Sequence, residues 1–372
     1  MKFNIKSSDF LKAINSVEGV INSKQIKSVL SNVKIEASDN SVSLSATDME
    51  ISVRTSLAAD VSVSGVTSLP AKQLSSIFKT INFSDAKLEI NTDSENPETV
   101  ITDAEGKVGS KFQINGLDPE EIRTIGKIEE KNITDFPCLI LKEMIRKTNY
   151  AVAQEETRFV FNGLFMKCID DELIVVGTDG RRLSKITRKI PKKLDFGNGI
   201  IVPHKTVRES IKLLDQAENG KIGLSESQFY LSVAHSELLS KLIDGSYPDY
   251  EQVIPKNNSY SVRINKDEFA IVLRQALISA EEPSRQIRLS FKTNTLVITS
   301  SNPGSMQFEN SMPIEFSGDD LTIAFKGDYL SDTIKSIDDP EFEIHFTNSS
   351  LPVLFKDPSD ADYVSVIMPM KI

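Results

Sequence analysis

"LKEMIRKTNYAVAQEETRFVFNGLFMKCIDDELIVVGTDGRRLSKI" occupies residues 141–186 and decides how the chain is read. It runs from a helical pattern, through a connector, into two alternating apolar runs around the polar turn "DDE". The same order stands at residues 9–53, "DFLKAINSVEGVINSKQIKSVLSNVKIEASDNSVSLSATDMEISV", where Phe10, Leu11, Ile14 and Val17 fall at helix spacing. It stands again at residues 269–309, "FAIVLRQALISAEEPSRQIRLSFKTNTLVITSSNPGSMQFE". The turns "SDNS", "DDE" and "KTNT" occupy matching places. Thr47-Asp48 recurs as Thr178-Asp179, with Ser300-Ser301 in the third position. A pattern that repeats in order three times is the mark of a repeat architecture.

A second pattern follows each of these. "SLPAKQLSSIFKTI" (68–81), "IVPHKTVRESIKLL" (201–214) and "IAFKGDYLSDTIKSI" (323–337) each read as a short strand leading at once into a helix. Pro70 and Pro203 sit at the junction of strand and helix, where a missing N–H at the first turn costs nothing. More strands follow in "AKLEINTD", "KIGLSESQFYLSVA" and "EFEIHFTNSSLPVLFKD". Each copy should therefore hold two helices and about eight strands over roughly 120–130 residues. The fold class expected is α+β: three similar domains, each with two helices packed on antiparallel sheets. Their boundaries, 1–128, 129–256 and 257–372, fall in the polar stretches "EEIRTIGKIEEKNITD" and "EQVIPKNNSY". Sheet edges left open at the ends of such a chain invite pairing with another copy. Closed two-fold assemblies are the commonest outcome, and two chains would give a six-domain ring.

Composition fits a soluble globular protein: 372 residues, 39% hydrophobic, 26% charged and no tryptophan. No run approaches the ~20 apolar residues of a membrane span. "MKFNIKSSDFLKAI" lacks the apolar stretch and cleavage site of a signal peptide, so a cytoplasmic protein without a membrane partner is expected. Cys138 and Cys168 show no CxxC spacing and are expected as reduced, buried thiols. The net charge of −10 argues against a generally basic nucleic-acid binder, but a sum hides which face carries which sign. The predicted helices run the other way. One holds Lys72 and Lys79 without an acid. Another holds Lys142, Arg146 and Lys147 against Glu143. A third holds Lys205, Arg208 and Lys212 against Glu209, beside His204. If these helices share a surface, that surface is basic.

No P-loop, dinucleotide fingerprint, H-E-x-x-H or G-x-S-x-G motif occurs, and no cofactor or metal is called for. Asp179, Asp244 and Asp249 could converge for metal-assisted or acid–base chemistry. Against this, Asp179-Gly180 sits between "LIVVG" and "LSKI" as a hairpin turn, and "DGSYPDY" (244–250) has the Gly and Pro of a loop. A peptide-binding scaffold that never surrounds DNA is a further alternative.

With these features in hand, the whole chain resembles the β subunit family of bacterial DNA polymerase III, the sliding clamps. The resemblance is carried by "MKF", "TDMEISV" (47–53), "LPAK" (69–72), "RFVFNG" (158–163), "TDGRRL" (178–183), "IVPHK" (201–205), "LIDGSYPDYEQVIPK" (242–256), "NP" (302–303) and "YVSVIMPMKI" (363–372). It implies two chains closed head to tail around double-stranded DNA, without sequence preference, without catalysis and without a cofactor. The expected role is a processivity factor for the polymerase. Partners would be the polymerase III alpha subunit, the clamp loader and other proteins bearing clamp-binding peptides.

Carried over, the peptide cleft would use Phe161, Thr178, Gly180, Arg181, Arg182, Leu183, Pro248, Val253, Val366, Ile367, Met368, Pro369 and Met370. Arg181 stands where a histidine is common, Phe161 replaces a leucine, Ser284 an aromatic residue and Lys326 an asparagine. DNA contacts would come from Lys24, Lys72, Phe159, His204 and Lys205, with Phe159 and Val160 in place of a tyrosine pair. The ring seam would use Phe112, Ile114 and Ile278. Only Glu309 follows the "NP" where the family often has an acidic cluster, so closure is expected to lean on apolar packing and edge-strand pairing.

Overall fold

Each copy of the repeat folds as two half-domains, and the halves join across copies. The computed structural model describes residues 1–21, 28–91, 98–122, 125, 133–154, 158–225 and 228–371. In the first copy, β1 (Lys2–Lys6), α1 (Ser7–Glu18), β2 (Asn32–Ser38), β3 (Ser41–Thr47), β4 (Ile51–Ala58), β5 (Asp60–Val63) and β6 (Gly65–Pro70) lead into α2 (Ala71–Thr80). There follow β7 (Asp85–Asn91), β8 (Glu98–Asp103) and β9 (Lys111–Asn115). The second copy has β10 (Ile133–Pro137), α3 (Cys138–Thr148), β11 (Gly163–Ile169), β12 (Glu172–Thr178), β13 (Arg182–Lys189), β14 (Ile200–Pro203), α4 (His204–Leu214), β15 (Asn219–Ser225), β16 (Gln228–Val233) and β17 (Ser236–Ser240). The third has β18 (Tyr260–Asn265), α5 (Lys266–Ser279), β19 (Gln286–Lys292), β20 (Thr295–Asn302), β21 (Met306–Pro313), β22 (Leu321–Lys326), α6 (Gly327–Ser336), β23 (Glu341–Phe346), β24 (Val353–Asp357) and β25 (Asp360–Ile367).

Local sequence explains the elements. On α1, Phe10, Ala13, Ile14 and Val17 are buried, the i, i+3, i+4, i+7 stripe of one helix face. Leu11, one position round from Phe10, is only half-buried. Phe10 meets Phe78 of α2 with ring centroids 4.7 Å apart. Pro70 and Pro203 stand at the strand–helix junctions as read: they are the last residues of β6 and β14, and the helices begin one residue later. Both strands are outermost in their sheets, where a residue without an N–H is tolerated.

Sheet topology is where the copies interlock. One eight-stranded sheet has the order β10-β15-β16-β17-β4-β3-β2-β6, and the other β14-β11-β12-β13-β25-β24-β23-β18. In each, the hairpin half of one copy pairs with the trailing half of the next: β4 with β17, and β13 with β25, both antiparallel. Two half-domains are left over. They form a five-stranded sheet, β5-β1-β7-β8-β9, and a four-stranded sheet, β21-β20-β19-β22. The outermost strands β9 and β21 are therefore the counterparts of β17 and β25 on one side, and of β4 and β13 on the other.

The chain forms two compact units, Met1–Leu141 with Leu194–Phe196 and Lys205–Leu242, and Lys142–Lys193 with Gly197–His204 and Ile243–Ile372. The middle copy is thus divided between them, as the shared sheets require. In the first unit, the Lys205 ammonium pairs with Asp48 and donates to the Val20 carbonyl. In the second, Lys147, only 1% exposed, pairs with Asp338, Asp357 and Asp360 at 3.0–3.2 Å. Arg146 pairs with Asp338, and Arg188 with Glu143 and Asp360. Cys138 and Cys168 are buried and are not joined in a disulfide. No described helix is long and apolar enough to cross a membrane.

Candidate partner-binding site

The turn between β12 and β13 is built by its own side chains. Thr178 Oγ1 donates to the Arg182 carbonyl at 2.6 Å and accepts from the Gly180 N–H. Asp179 Oδ1 accepts from the N–H groups of Arg181 and Arg182, both at 2.9 Å, and Oδ2 from Arg182 Nε. Gly180 sits at φ +81°, a conformation that costs glycine little. Asp179 is thereby committed to the turn. Asp249 likewise accepts from the N–H of Glu251 and from Gln252 Nε2, closing the short turn at Tyr250–Val253. Two of the three aspartates of the acid–base alternative thus have structural work in their own loops, and the third, Asp244, is exposed.

The Arg182 guanidinium is held from three sides, by Asp179, by Asp332 at 2.8 Å and over the Tyr329 ring at 4.3 Å. Burial, then the neighbouring Asp179 charge, pushes the Tyr329 hydroxyl up to about 12. One residue on, Leu183 pairs across the sheet with Val366 of β25. The two share an apolar cluster with Phe165, Ile174, Val176, Ile201 and Leu354. The loop after β17 closes over it. Tyr247 stacks on Phe165 at 4.7 Å and meets Phe161 edge-on at 6.2 Å. Burial pushes the Tyr250 hydroxyl up to about 12, and Lys185 ties this loop down through Glu251.

These elements enclose a cavity of about 220 Å³ lined by Arg158, Phe161, Thr178, Gly180, Arg181, Arg182, Leu183, Pro248, Asp249, Tyr250, Val253, Val366 and Met368. Most of the residues expected for a peptide cleft come together here. Three do not line it. Ile367 is buried within the sheet, opposite Arg182 and Val353. Pro369 lies beyond the strand, and Met370 turns its backbone to bridge Ala324 of β22. Arg158, Asp249 and Tyr250 were not expected. Asp249 and Tyr250 lie within "DGSYPDY", directly after the expected Pro248.

The first copy contains the same turn. Thr47 Oγ1 donates to the Ile51 carbonyl and accepts from the Met49 N–H, and Asp48 Oδ1 accepts from Glu50 and Ile51. Even the cross-strand bond repeats: the Lys241 N–H donates to the Glu50 carbonyl as the Met368 N–H donates to that of Arg181. The two turns differ at four positions, Met49-Glu50-Ile51-Ser52 against Gly180-Arg181-Arg182-Leu183, and two of these bear on the pocket. Met49, at φ +80°, occupies the Gly180 position, and Ser52 that of Leu183. Glycine opens the space and leucine gives it an apolar floor.

The residues expected at DNA and at the seam are placed less uniformly. Lys24 lies outside the described residues. Lys72 on α2 is exposed and makes no ion pair with a described residue. Phe159 is 72% exposed, and His204 opens α4. Lys205, by contrast, is tied to Asp48. The helix charge count is corrected in the same way: Arg146, Lys147, Lys205 and Lys212 all face carboxylates. Phe112 on β9 is half-buried and Ile278 on α5 is 75% exposed. Ile114 is buried within its own sheet beside β8, so it supports β9 from within rather than offering an exposed contact.

Three copies of one helix-and-sheet domain, interlocked through shared sheets and ending in two open edges, define a clamp-type repeat protein. The descriptions "DNA polymerase III beta subunit", N-terminal, central and C-terminal domain, match residues 1–126, 136–249 and 251–371. The chain belongs to this family. The beta sliding clamp of Bacillus subtilis is 28% identical over the full length of both chains, and that of Caulobacter vibrioides 29%. Among solved structures, the Caulobacter crescentus beta sliding clamp superposes with a TM-score of 0.92 at 27% identity, covering 100% of this chain and 99% of the other. The Pseudomonas aeruginosa sliding clamp bound to griselimycin gives 0.91 at 26%, covering 100% of both chains.

Proposed function

We propose that two copies of this chain close head to tail into a ring around double-stranded DNA, tethering polymerase and other partners as a non-catalytic, cytoplasmic processivity factor. One observation carries the ring. Inside the chain, the third hairpin strand of one copy twice pairs antiparallel with the last strand of the next, β4 with β17 and β13 with β25. β21 and β9 are the same two strands, each at the end of its sheet with one neighbour, and no described strand pairs with their outer edges. Completing the series places β21 of one chain against β9 of another, with Phe112 and Ile278 as candidate seam contacts. The domain boundaries that go with this ring are 1–128, 129–256 and 257–372. The cavity beneath the Gly180 turn is the site for the polymerase III alpha subunit, the clamp loader and other partner peptides.

Sedimentation should give twice the chain mass of 41.3 kDa. Protein loaded on nicked circular DNA should stay bound through gel filtration and leave once the circle is cut. A monomer at every concentration, or equal retention on both DNA forms, defeats the reading. Contact with the duplex should come from Lys72, Lys79 and Arg208, which are among the helix cations that make no ion pair with a described residue. Changing all three to glutamine should reduce the dependence of log affinity on log salt by about 0.9 for each charge that touches phosphate. The expected measurement is direct binding to a circular duplex over a salt series, and an unchanged slope would reject these contacts.

A further inference from the structure

The pocket beneath the Gly180 turn has two cations at its rim that no described carboxylate neutralises. Arg158 and Arg181 both line it and both are exposed. Arg181 commits its backbone on both sides, its N–H to Asp179 and its carbonyl to the Met368 N–H. Its base is therefore fixed while its guanidinium makes no ion pair with a described residue. The Arg158 guanidinium carbon stands 6.0 Å over the ring of Phe161, and Phe161 in turn lies 3.5 Å from where a Gly180 Cβ would be. Glu155 and Glu156, its neighbours in sequence, lie outside the described residues.

The carboxylates around the rim are already engaged. Asp179 and Asp332 hold Arg182. Asp249 accepts from Glu251 and Gln252, and Glu251 pairs with Lys185. A net charge of −10 disfavours the approach of an acidic segment unless local cations receive it. A guanidinium presents a planar fork of donors that fits a carboxylate with two parallel hydrogen bonds.

We propose that the pocket selects a linear peptide whose apolar anchor is flanked by carboxylate side chains, received by Arg158 and Arg181. The inference rests on the pocket being the peptide site, and its test separates the two. The full chain is titrated, by fluorescence anisotropy, with two labelled peptides sharing one Leu-Phe anchor. In one the flanking residues are Asp and Glu, in the other Asn and Gln. Two exposed charge pairs set the expected preference for the acidic peptide at about fivefold in low salt, shrinking as salt rises.

In the double variant Arg158→Gln/Arg181→Gln, checked for folding by circular dichroism, the ratio between the two peptides should fall to about one. Equal binding of both peptides to the unmodified chain overturns the selection and leaves the pocket reading standing. So does a preference that survives the double variant. If neither peptide binds the unmodified chain, the pocket reading fails and the selection with it.

Discussion

Replacing Lys147 with alanine should lower the thermal unfolding midpoint by about 10 °C. Lys147 is 1% exposed and faces Asp338, Asp357 and Asp360, and the side chain of Asp357 is fully buried. Removing one partner of a buried ion pair costs about 3–5 kcal/mol, because the charge left behind has neither water nor a counter-ion. At about 2–4 °C per kcal/mol for a unit of this size, the midpoint falls accordingly. Arg146 and Arg188 remain to hold Asp338 and Asp360, so the deficit concentrates on Asp357. The double variant Lys147→Met/Asp357→Leu, which removes both charges, should recover part of the loss. If Lys147→Ala melts within 2 °C of the unmodified chain, roughly a 1 kcal/mol change, the cluster does not hold the unit together.

The same cluster sets an acid limit. Burial works to raise the Asp357 carboxyl, but hydrogen bonds from Ser359, the Asp338 N–H and Lys147 outweigh it and hold it at about 2. Asp338 and Asp360 are also held below the usual carboxylate range, burial being outweighed by Arg146 and Lys147 for the first and by Arg188 and Lys147 for the second. A carboxyl lowered on folding stabilises the fold above its unfolded value. For Asp357 that contribution, about 2 kcal/mol, is lost as pH falls from about 4 through 2. Unfolding followed across that window should show the loss, and the Lys147→Ala/Asp357→Leu variant should flatten it.

How much of this was legible in the sequence depends on range. The three copies were visible because helix and strand periodicities are local and the turns "SDNS", "DDE" and "KTNT" mark their centres. The Asp179 turn was legible for the same reason: its hydrogen bonds close within four residues. What the sequence could not show were partners far along the chain. Lys147 reads as one more cation on a basic helix, and its aspartates lie some two hundred residues away. Lys205 reads likewise until β3 ends with Asp48 beside it. Ile114 is assigned to the seam by the resemblance, which identifies an apolar position and not what covers it. The pairing of β4 with β17 joins different copies, and no periodicity encodes a register between them. At the pocket, Leu183 and Val366 were found from the motifs around them. Arg158 was missed because it precedes the apolar residues that drew attention.

Gly180→Met should abolish peptide binding while the protein stays folded, and the chain itself supplies the reason. Its first copy already carries methionine at this turn position, at φ +80° against +81° for Gly180, inside the same set of side-chain and backbone hydrogen bonds. The backbone is therefore known to accept methionine here. The cost of a left-handed non-glycine residue is about 1–2 kcal/mol, a melting shift of a few degrees. The Cβ meets Phe161 at an ordinary 3.5 Å, so no backbone need move, but the rest of the side chain must share the space among Phe161, Leu183 and Met368. In a cavity of about 220 Å³ that leaves too little room for an apolar anchor. Affinity for the anchor peptide should fall more than tenfold by anisotropy, with dimer mass and DNA retention unchanged. The reverse exchange, Met49→Gly, should not create a second site, because Ser52 stands where Leu183 floors the pocket. Peptide binding that survives Gly180→Met would place the partner site elsewhere. Binding lost together with the dimer would make the turn a structural element rather than the opening of a pocket.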